Sequence, residues 1–173
     1  NQLDRIEYSN GVGIVDHVTG NIDFSSTDTA NLLGWSTWHQ VRNAQLQIIQ
    51  DDIVMDNGSQ STLEYDANNT KSWQTYRTGV DSASRTDWIQ VLNDDGSFDQ
   101  TDFDQASTES WTVRNDHKDS TGALDWVRVQ NDNGTEDWLD LDQTNVQVWK
   151  EQNRHLDSQG RLDYVQTIND DTT

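Results

Sequence analysis

Residues 119–126 read Asp-Ser-Thr-Gly-Ala-Leu-Asp-Trp, and close variants stand at 81–88 (Asp-Ser-Ala-Ser-Arg-Thr-Asp-Trp) and 157–164 (Asp-Ser-Gln-Gly-Arg-Leu-Asp-Tyr). One interval separates the three copies. An Asp side chain caps a tight turn, and a Gly or Ser after it tolerates the conformation that closes the loop. The apolar and polar residues that follow alternate as in a half-buried strand. The stretch therefore specifies a turn and a strand, written once per repeat.

The same interval governs the rest of the chain. It spaces Trp35, Trp73, Trp111 and Trp149, and also Asp28, Asp66, Asp104 and Asp142. Compared position by position, 73–110 and 111–148 agree at Asp81/Asp119, Asp87/Asp125, Trp88/Trp126, Asn93/Asn131 and Gly96/Gly134, among others. A further turn signal, Asn93-Asp-Asp-Gly96 or Asn131-Asp-Asn-Gly134, separates two more strand-like runs, so each repeat holds about three strands. The period divides 1–173, as a single repeat domain, into a partial unit 1–34 with an insertion at about 14–27, units 35–72, 73–110 and 111–148, and a partial unit 149–173.

No segment sustains a helical period, whereas Leu124 and Trp126 fall on one face of a strand and Val127 and Val129 on the other. The predicted fold class is all-β, built from tandem repeats of about 38 residues. Three ordinary hairpin loops per repeat would send equivalent tryptophans to opposite faces of a flat meander, which a one-sided core forbids. The expectation is therefore a bulge or odd loop in each repeat, or a coil that stacks the repeats in register. Two architectures meet it: an elongated, twisted antiparallel hairpin array and a β-solenoid, with a small β-propeller as a further alternative.

Composition narrows the partners. Only 31% of the residues are hydrophobic, so the core must be thin, while eight Trp, four Tyr and three Phe supply buriable area that disordered chains lack. Against 11 basic residues stand 31 acidic ones, a net charge of −20 that repels nucleic acid and anionic lipid and favours divalent cations. Cys and Pro are absent, which excludes disulfides and thiolate metal sites. No apolar run reaches the length of a membrane span, so no membrane insertion is expected, and Asn1-Gln-Leu-Asp lacks the pattern of a signal peptide. The chain reads as a segment of a longer protein.

Leu156-Asp-Ser-Gln-Gly-Arg-Leu-Asp163, with Tyr65-Asp66, Phe103-Asp104 and Leu141-Asp142, resembles the tyrosine–aspartate repeats of Rhs-type bacterial surface and toxin proteins, whose core is Tyr-Asp-x-x-Gly-Arg-Leu. The Asn-Asp-Asp-Gly-Ser and Asn-Asp-Asn-Gly-Thr turns are similar to the acidic calcium-binding RTX-type repeats of large secreted bacterial proteins. These resemblances imply a secreted or cell-surface bacterial location, an adhesin-like role and calcium as cofactor.

The candidate calcium ligands are the Asp pairs that bracket a turn, Asp81/Asp87, Asp119/Asp125 and Asp157/Asp163, with Asp94, Asp95 and Asp132 from the Asn-Asp loops. The competing role is structural: the first Asp caps its turn and the second sits on a solvated face. No loop completes an EF-hand. The regularly spaced tryptophans are expected to be packing residues, whereas Trp38 and Trp138 lie off that spacing and are the candidates for an exposed sugar contact. His117 and His155 occupy equivalent positions and could share a metal. Asp16, His17 and Asp23 fall in the irregular stretch without a nucleophile or phosphate-binding context. The expected function is a non-enzymatic stalk, spacer or binding array stabilised by divalent cations. The alternative is a carbohydrate-binding module, with a polysaccharide or another surface protein as partner.

Overall fold

A computed structural model describes residues 20–170 and, as backbone alone, two strands at 3–8 and 11–16. The chain divides into two compact units, 1–86 and 87–173. In the first, β1 (Leu3–Tyr8), β2 (Gly11–Asp16), β3 (Ile22–Thr27), β4 (Trp35–Arg42), β5 (Ile48–Met55), β6 (Gln60–Tyr65) and β7 (Trp73–Val80) follow one another. The second holds β8 (Thr86–Asn93), β9 (Phe98–Phe103), β10 (Trp111–Lys118), β11 (Leu124–Asn131), β12 (Glu136–Leu141), β13 (Trp149–Leu156) and β14 (Leu162–Asn169). No helix occurs among the described residues.

Within each unit every strand pairs antiparallel with its sequence neighbours, and the sheet does not close into a barrel. Of the architectures open to the sequence, the hairpin array is the one formed; a solenoid would need strands of successive coils to stack side by side.

Three turns per repeat make the hairpins. In the first, the backbone N–H of Asp119 donates to Ala123 O at 2.9 Å and that of Gly122 to Asp119 O at 2.9 Å, with Gly122 at φ 86°. The second, Asn131 to Thr135, repeats this pattern with Gly134 at φ 82°. Both are three-residue loops that need a left-handed residue in fourth place. The third is longer: the Asp104 carboxylate accepts the N–H groups of Thr108 and Glu109 at 3.1 and 2.9 Å, and Asp66 and Asp142 hold their loops alike. This carboxylate satisfies backbone donors that no strand reaches.

The left-handed place of the first turn is Gly122 or Gly160 in two repeats, Ser84 in another, and Leu46 at φ 65° in the earliest. A branched, 59% exposed leucine gains little there and carries the left-handed penalty. Leu46→Gly is expected to stabilise the protein by about 1 kcal/mol. Urea midpoints at unchanged slope check this, and a lower midpoint would mean that the Leu46 side chain contributes more than its backbone costs.

The phase of the repeat runs through the stretch read as an insertion. β3 precedes β6 by one full period, and a Cβ on Gly20 would stand 3.0 Å from that of Ala44, much as one on Gly58 would stand 3.5 Å from Ser82. Residues 17–19 of that stretch lie outside the described residues. The irregularity is one of register: β2 pairs Ile14 with Asp23, one residue off the alignment that Asp52↔Thr62 and Gln90↔Gln100 keep in later repeats.

Bulges are present as expected, two in each described hairpin of the β10·β11 type. They flank the pairs, leaving Thr112 and Asp125 without opposite residues in one hairpin and Lys150 and Asp163 in the next. Yet they do not return equivalent residues to one face. His117 stands in the cross-strand row His117, Trp126, Asp140, Gln152, whereas His155 stands in the row Arg114, Val129, Asp137, His155. His117 and Arg114 are three residues apart on one strand, so the rows lie on opposite faces. Successive repeats of the second unit therefore alternate faces, and His117 and His155 cannot share a metal.

Alternation is tolerated because neither face is a core. Val127, 8% exposed, is the only buried hydrophobic residue among those described, and no side chain is fully buried. Trp35, Trp73, Trp111 and Trp149 are half-buried. The expected packing role is thus met only in part, since none of the four is enclosed in a core.

Candidate functional site

The turn carboxylates come first. Asp81 Oδ1 accepts the N–H groups of Ala83 and Arg85, both at 2.9 Å, and its Oδ2 pairs with the Arg85 guanidinium at 2.7 Å. Asp157 does the same with Gln159 and Arg161. In Asp119 the bonds from Thr121 N, Ala123 N and Thr121 Oγ1, at 2.9, 3.0 and 2.6 Å, all fall on Oδ1. Asp95 accepts from Ser97 N and Oγ at 2.9 and 2.7 Å. These donors hold all four carboxyls below the usual range: the Arg85 and Arg161 amides for Asp81 and Asp157, the Ser97 and Thr121 hydroxyls for Asp95 and Asp119.

Neutral residues fill the same places with the same geometry. Asn43, at the position of Asp81, accepts from Gln45 N and Gln47 N at 3.0 and 2.9 Å. Asn133, at the position of Asp95, accepts from Thr135 N and Oγ1 at 2.9 and 2.7 Å. The cap needs an oxygen, not a charge.

The other candidate ligands are placed apart from these caps. Asp125 and Asp163 are the bulge residues of β11 and β14, and Asp125 Oδ2 lies 3.8 Å from His117 Nε2. Asp87 is an exposed residue of β8, and Asp94 and Asp132 are exposed turn residues. Among the described residues, no three His, Asp or Glu side chains converge as a metal would require.

Sequence inspection missed the histidine–carboxylate pairs. His39 on β4 reaches Asp52 on β5 through Nδ1 at 3.0 Å and Asp23 on β3 through Nε2 at 2.5 Å. Burial alone would lower the His39 pKa, but the bonds to Asp52 and Asp23 and their charges outweigh it and raise it. His117 Nδ1 meets Asp99 and His155 Nδ1 meets Asp137, each at 2.6 Å, across the β9·β10 and β12·β13 seams. Asn93 and Asn131 hold the second oxygens of those Asp residues at 2.7 Å. The preceding repeat puts Ser61 opposite Gly79 instead. The visible signal was the recurrence of Asp99 and His117, one period later, as Asp137 and His155; their pairing needs the register.

Clefts lie beside both tryptophans that stand off the regular spacing. Trp38 meets Phe24 edge-on at 5.4 Å in a cleft of about 340 Å³ lined also by Ile22, Gln40, Arg42 and Leu46. Trp138 and Trp126, 6.2 Å apart, line one of about 120 Å³ with Asp140 and Arg154. There the rings are partly covered: His117 stacks on Trp126 at 5.5 Å, and Arg128 lies over Trp138 at 4.9 Å. Trp138 also borders a cleft of about 420 Å³ with Leu124, Val127, Leu139 and Tyr164, and Trp38 one of about 370 Å³ with Leu33 and Trp35. No family model matches the chain, and no curated protein matches it.

Proposed function

We propose that this chain is a non-enzymatic repeat segment of a secreted or cell-surface bacterial protein, akin to the RTX-type and Rhs-like repeats it resembles, and acts as a stalk, spacer or binding array. The observation that carries the proposal is the hairpin array within each unit, where every strand leans on its sequence neighbours and no face closes over a core among the described residues. Such a sheet grows by adding repeats without redesign of an interior. It presents acidic turns and strand faces at regular intervals.

Calcium is the proposed small partner, drawn by the net charge of −20. Asp119 and Asp95 are its best turn ligands, since their cap bonds all use Oδ1. A thermal melt in calcium chloride against sodium chloride at matched ionic strength tests it, because monovalent salt screens repulsion without filling sites. A site filled at a hundred times its dissociation constant adds about 2.7 kcal/mol, so calcium is expected to raise the melting point well above the sodium control. Equal melting points would remove calcium from the proposal and leave the carboxylates as caps.

The cleft beside Trp38 favours a second reading, a carbohydrate-binding surface, because an indole with an apolar wall and two polar neighbours, Gln40 and Arg42, suits the face of a sugar ring. Oligosaccharide quenching of Trp fluorescence that vanishes in Trp38→Ala would support it. No quenching by neutral or acidic oligosaccharides would dismiss it.

A further inference from the structure

Trp38, Gln40 and Arg42 alternate along β4 and so share one face, with Phe24 and Ile22 of β3 opposite Gln40 and Arg42. The later repeats do not write this triplet. In the same places they hold Tyr76, Thr78 and Val80, then Arg114, Asp116 and Lys118, then Gln152, Arg154 and Leu156. A tandem array specifies its fold by what recurs, so a departure gathered on one cleft is chemistry the fold does not require.

The Arg42 guanidinium is held in place. Asp51 on β5 can only accept, so it takes Gln40 Nε2 at 2.9 Å and turns the amide oxygen the other way, where Oε1 accepts from Arg42 Nε at 2.7 Å. Gln40 is 6% exposed, and the second Asp51 oxygen accepts from the Tyr65 hydroxyl at 3.3 Å. Arg42 Nη1 makes a long contact to Leu46 O at 3.5 Å, and no carboxylate among the described residues pairs with the guanidinium. Arg85, Arg114, Arg128 and Arg161 each pair with one. In a chain with 31 acidic residues, an arginine oriented by an amide and left without a counter-ion is equipped to hold an anion.

Leu46 is an independent sign of a ligand. It fills the left-handed place that later repeats give to Ser84, Gly122 and Gly160, stands 59% exposed, and lines the same cleft as Trp38 and Arg42. Its side chain returns little of the backbone cost in the free chain, and strain of this kind is retained where a side chain serves a site.

We infer that the Trp38 cleft takes a hexuronate, a sugar ring bearing a carboxylate, with the ring against Trp38 and Leu46 and the carboxylate on Arg42. This rests on the carbohydrate reading of the cleft and names its ligand class. Because Arg42 folds back onto Gln40, its guanidinium stands beside a residue about 7 Å along the strand from Trp38. A hexuronate carries its carboxylate one bond outside the ring, which suits that separation. A neutral hexose offers a hydroxymethyl group instead, an uncharged and weaker acceptor for the guanidinium. The cleft, about 340 Å³, falls within the range of small-molecule pockets. The net charge of −20 does not exclude an anion here, since at physiological salt charges beyond about 8 Å are largely screened. Asp51, on the same face, is already engaged by Gln40 and Tyr65.

The test compares trimers of galacturonate and of galactose, titrated into the intact chain without calcium at near-physiological salt, with Trp fluorescence as the readout. The acidic trimer is expected to bind about tenfold or more tightly. Arg42→Gln is expected to bring the two trimers within about threefold of each other. Arg85→Gln removes the same charge from a turn of the same unit and is expected to keep the preference. Leu46→Gly is expected to weaken the acidic trimer several-fold while raising the urea midpoint, as befits a strained residue that serves a ligand. Equal affinity for the two trimers, or a preference that survives Arg42→Gln, would overturn the inference and leave a sugar cleft without charge selection. A preference lost equally in Arg85→Gln would also overturn it, since the charge would then act from anywhere on the surface. No quenching by either trimer would remove the carbohydrate reading and the hexuronate with it.

Discussion

Val127→Lys is expected to cost about 3 kcal/mol of stability and Val165→Lys less than about 0.5 kcal/mol, although both valines hold the same position of successive repeats. Val127 is flanked by Asp116 on β10 and Leu139 on β12, and at 8% exposure it is the most sheltered hydrophobic residue described. Replacing it with lysine forfeits the burial of a branched side chain, about 1.5 kcal/mol or more, and forces an ammonium group to leave the sheet by a strained path. Val165 at 46% exposure has already conceded its burial, and a lysine there can snorkel into water. The comparison needs only urea midpoints followed by Trp fluorescence. Equal losses would mean that the strand beside β11 is not what shelters Val127.

Asp119, Gly122, Asn131 and Gly134 announced their turns because an Asx cap and a left-handed residue are local chemistry, readable without partners. Trp111 and Trp149 announced the period. Face assignment was not local. A tandem repeat keeps equivalent residues on one face only on the premise that the sheet needs one buried side. His117 and His155 lie on opposite faces because that premise fails in a sheet with one buried hydrophobic residue among those described.

The site was legible in part for the same reason. That Asp81, Asp119 and Asp157 cap turns is a statement about five consecutive residues, and it was one of two roles open to them. That His39 bridges Asp23 and Asp52 involves three strands and depends on register, which in β3·β4·β5 follows from loop lengths and a bulge. Recurrence shows that Asp99 and His117 matter together; only the ladder shows that they touch.

Stability is expected to peak between about pH 5 and 6.5 and to fall on both sides, for two opposed reasons that can be separated. On the acid side stand carboxyls held below their ordinary range. The Lys71 and Glu109 amides do this for Asp66 and Asp104, the caps described above for Asp81, Asp95, Asp119 and Asp157, and Arg128 for Glu136. Burial pushes Asp52 and Asp137 upward, but the bonds from His39 and His155 prevail and leave both lowered. A depressed carboxyl stabilises the fold above its unfolded pKa of about 4 and loses that contribution as pH falls through the folded value. Asp140 alone works the other way, raised by its burial, and one group does not offset nine. On the alkaline side stands His39, raised by its two carboxylates; its contribution is complete below about pH 6.5 and disappears as pH rises through the folded value. Thermal melts from pH 3 to 9 in wild type and His39→Gln separate the limbs. The variant is expected to lose most of the alkaline decline and to keep the acid one, with a small softening from Asp52. A wild-type melting point that still climbs between pH 6.5 and 8.5 would show that the bridge across β3, β4 and β5 contributes nothing to the fold.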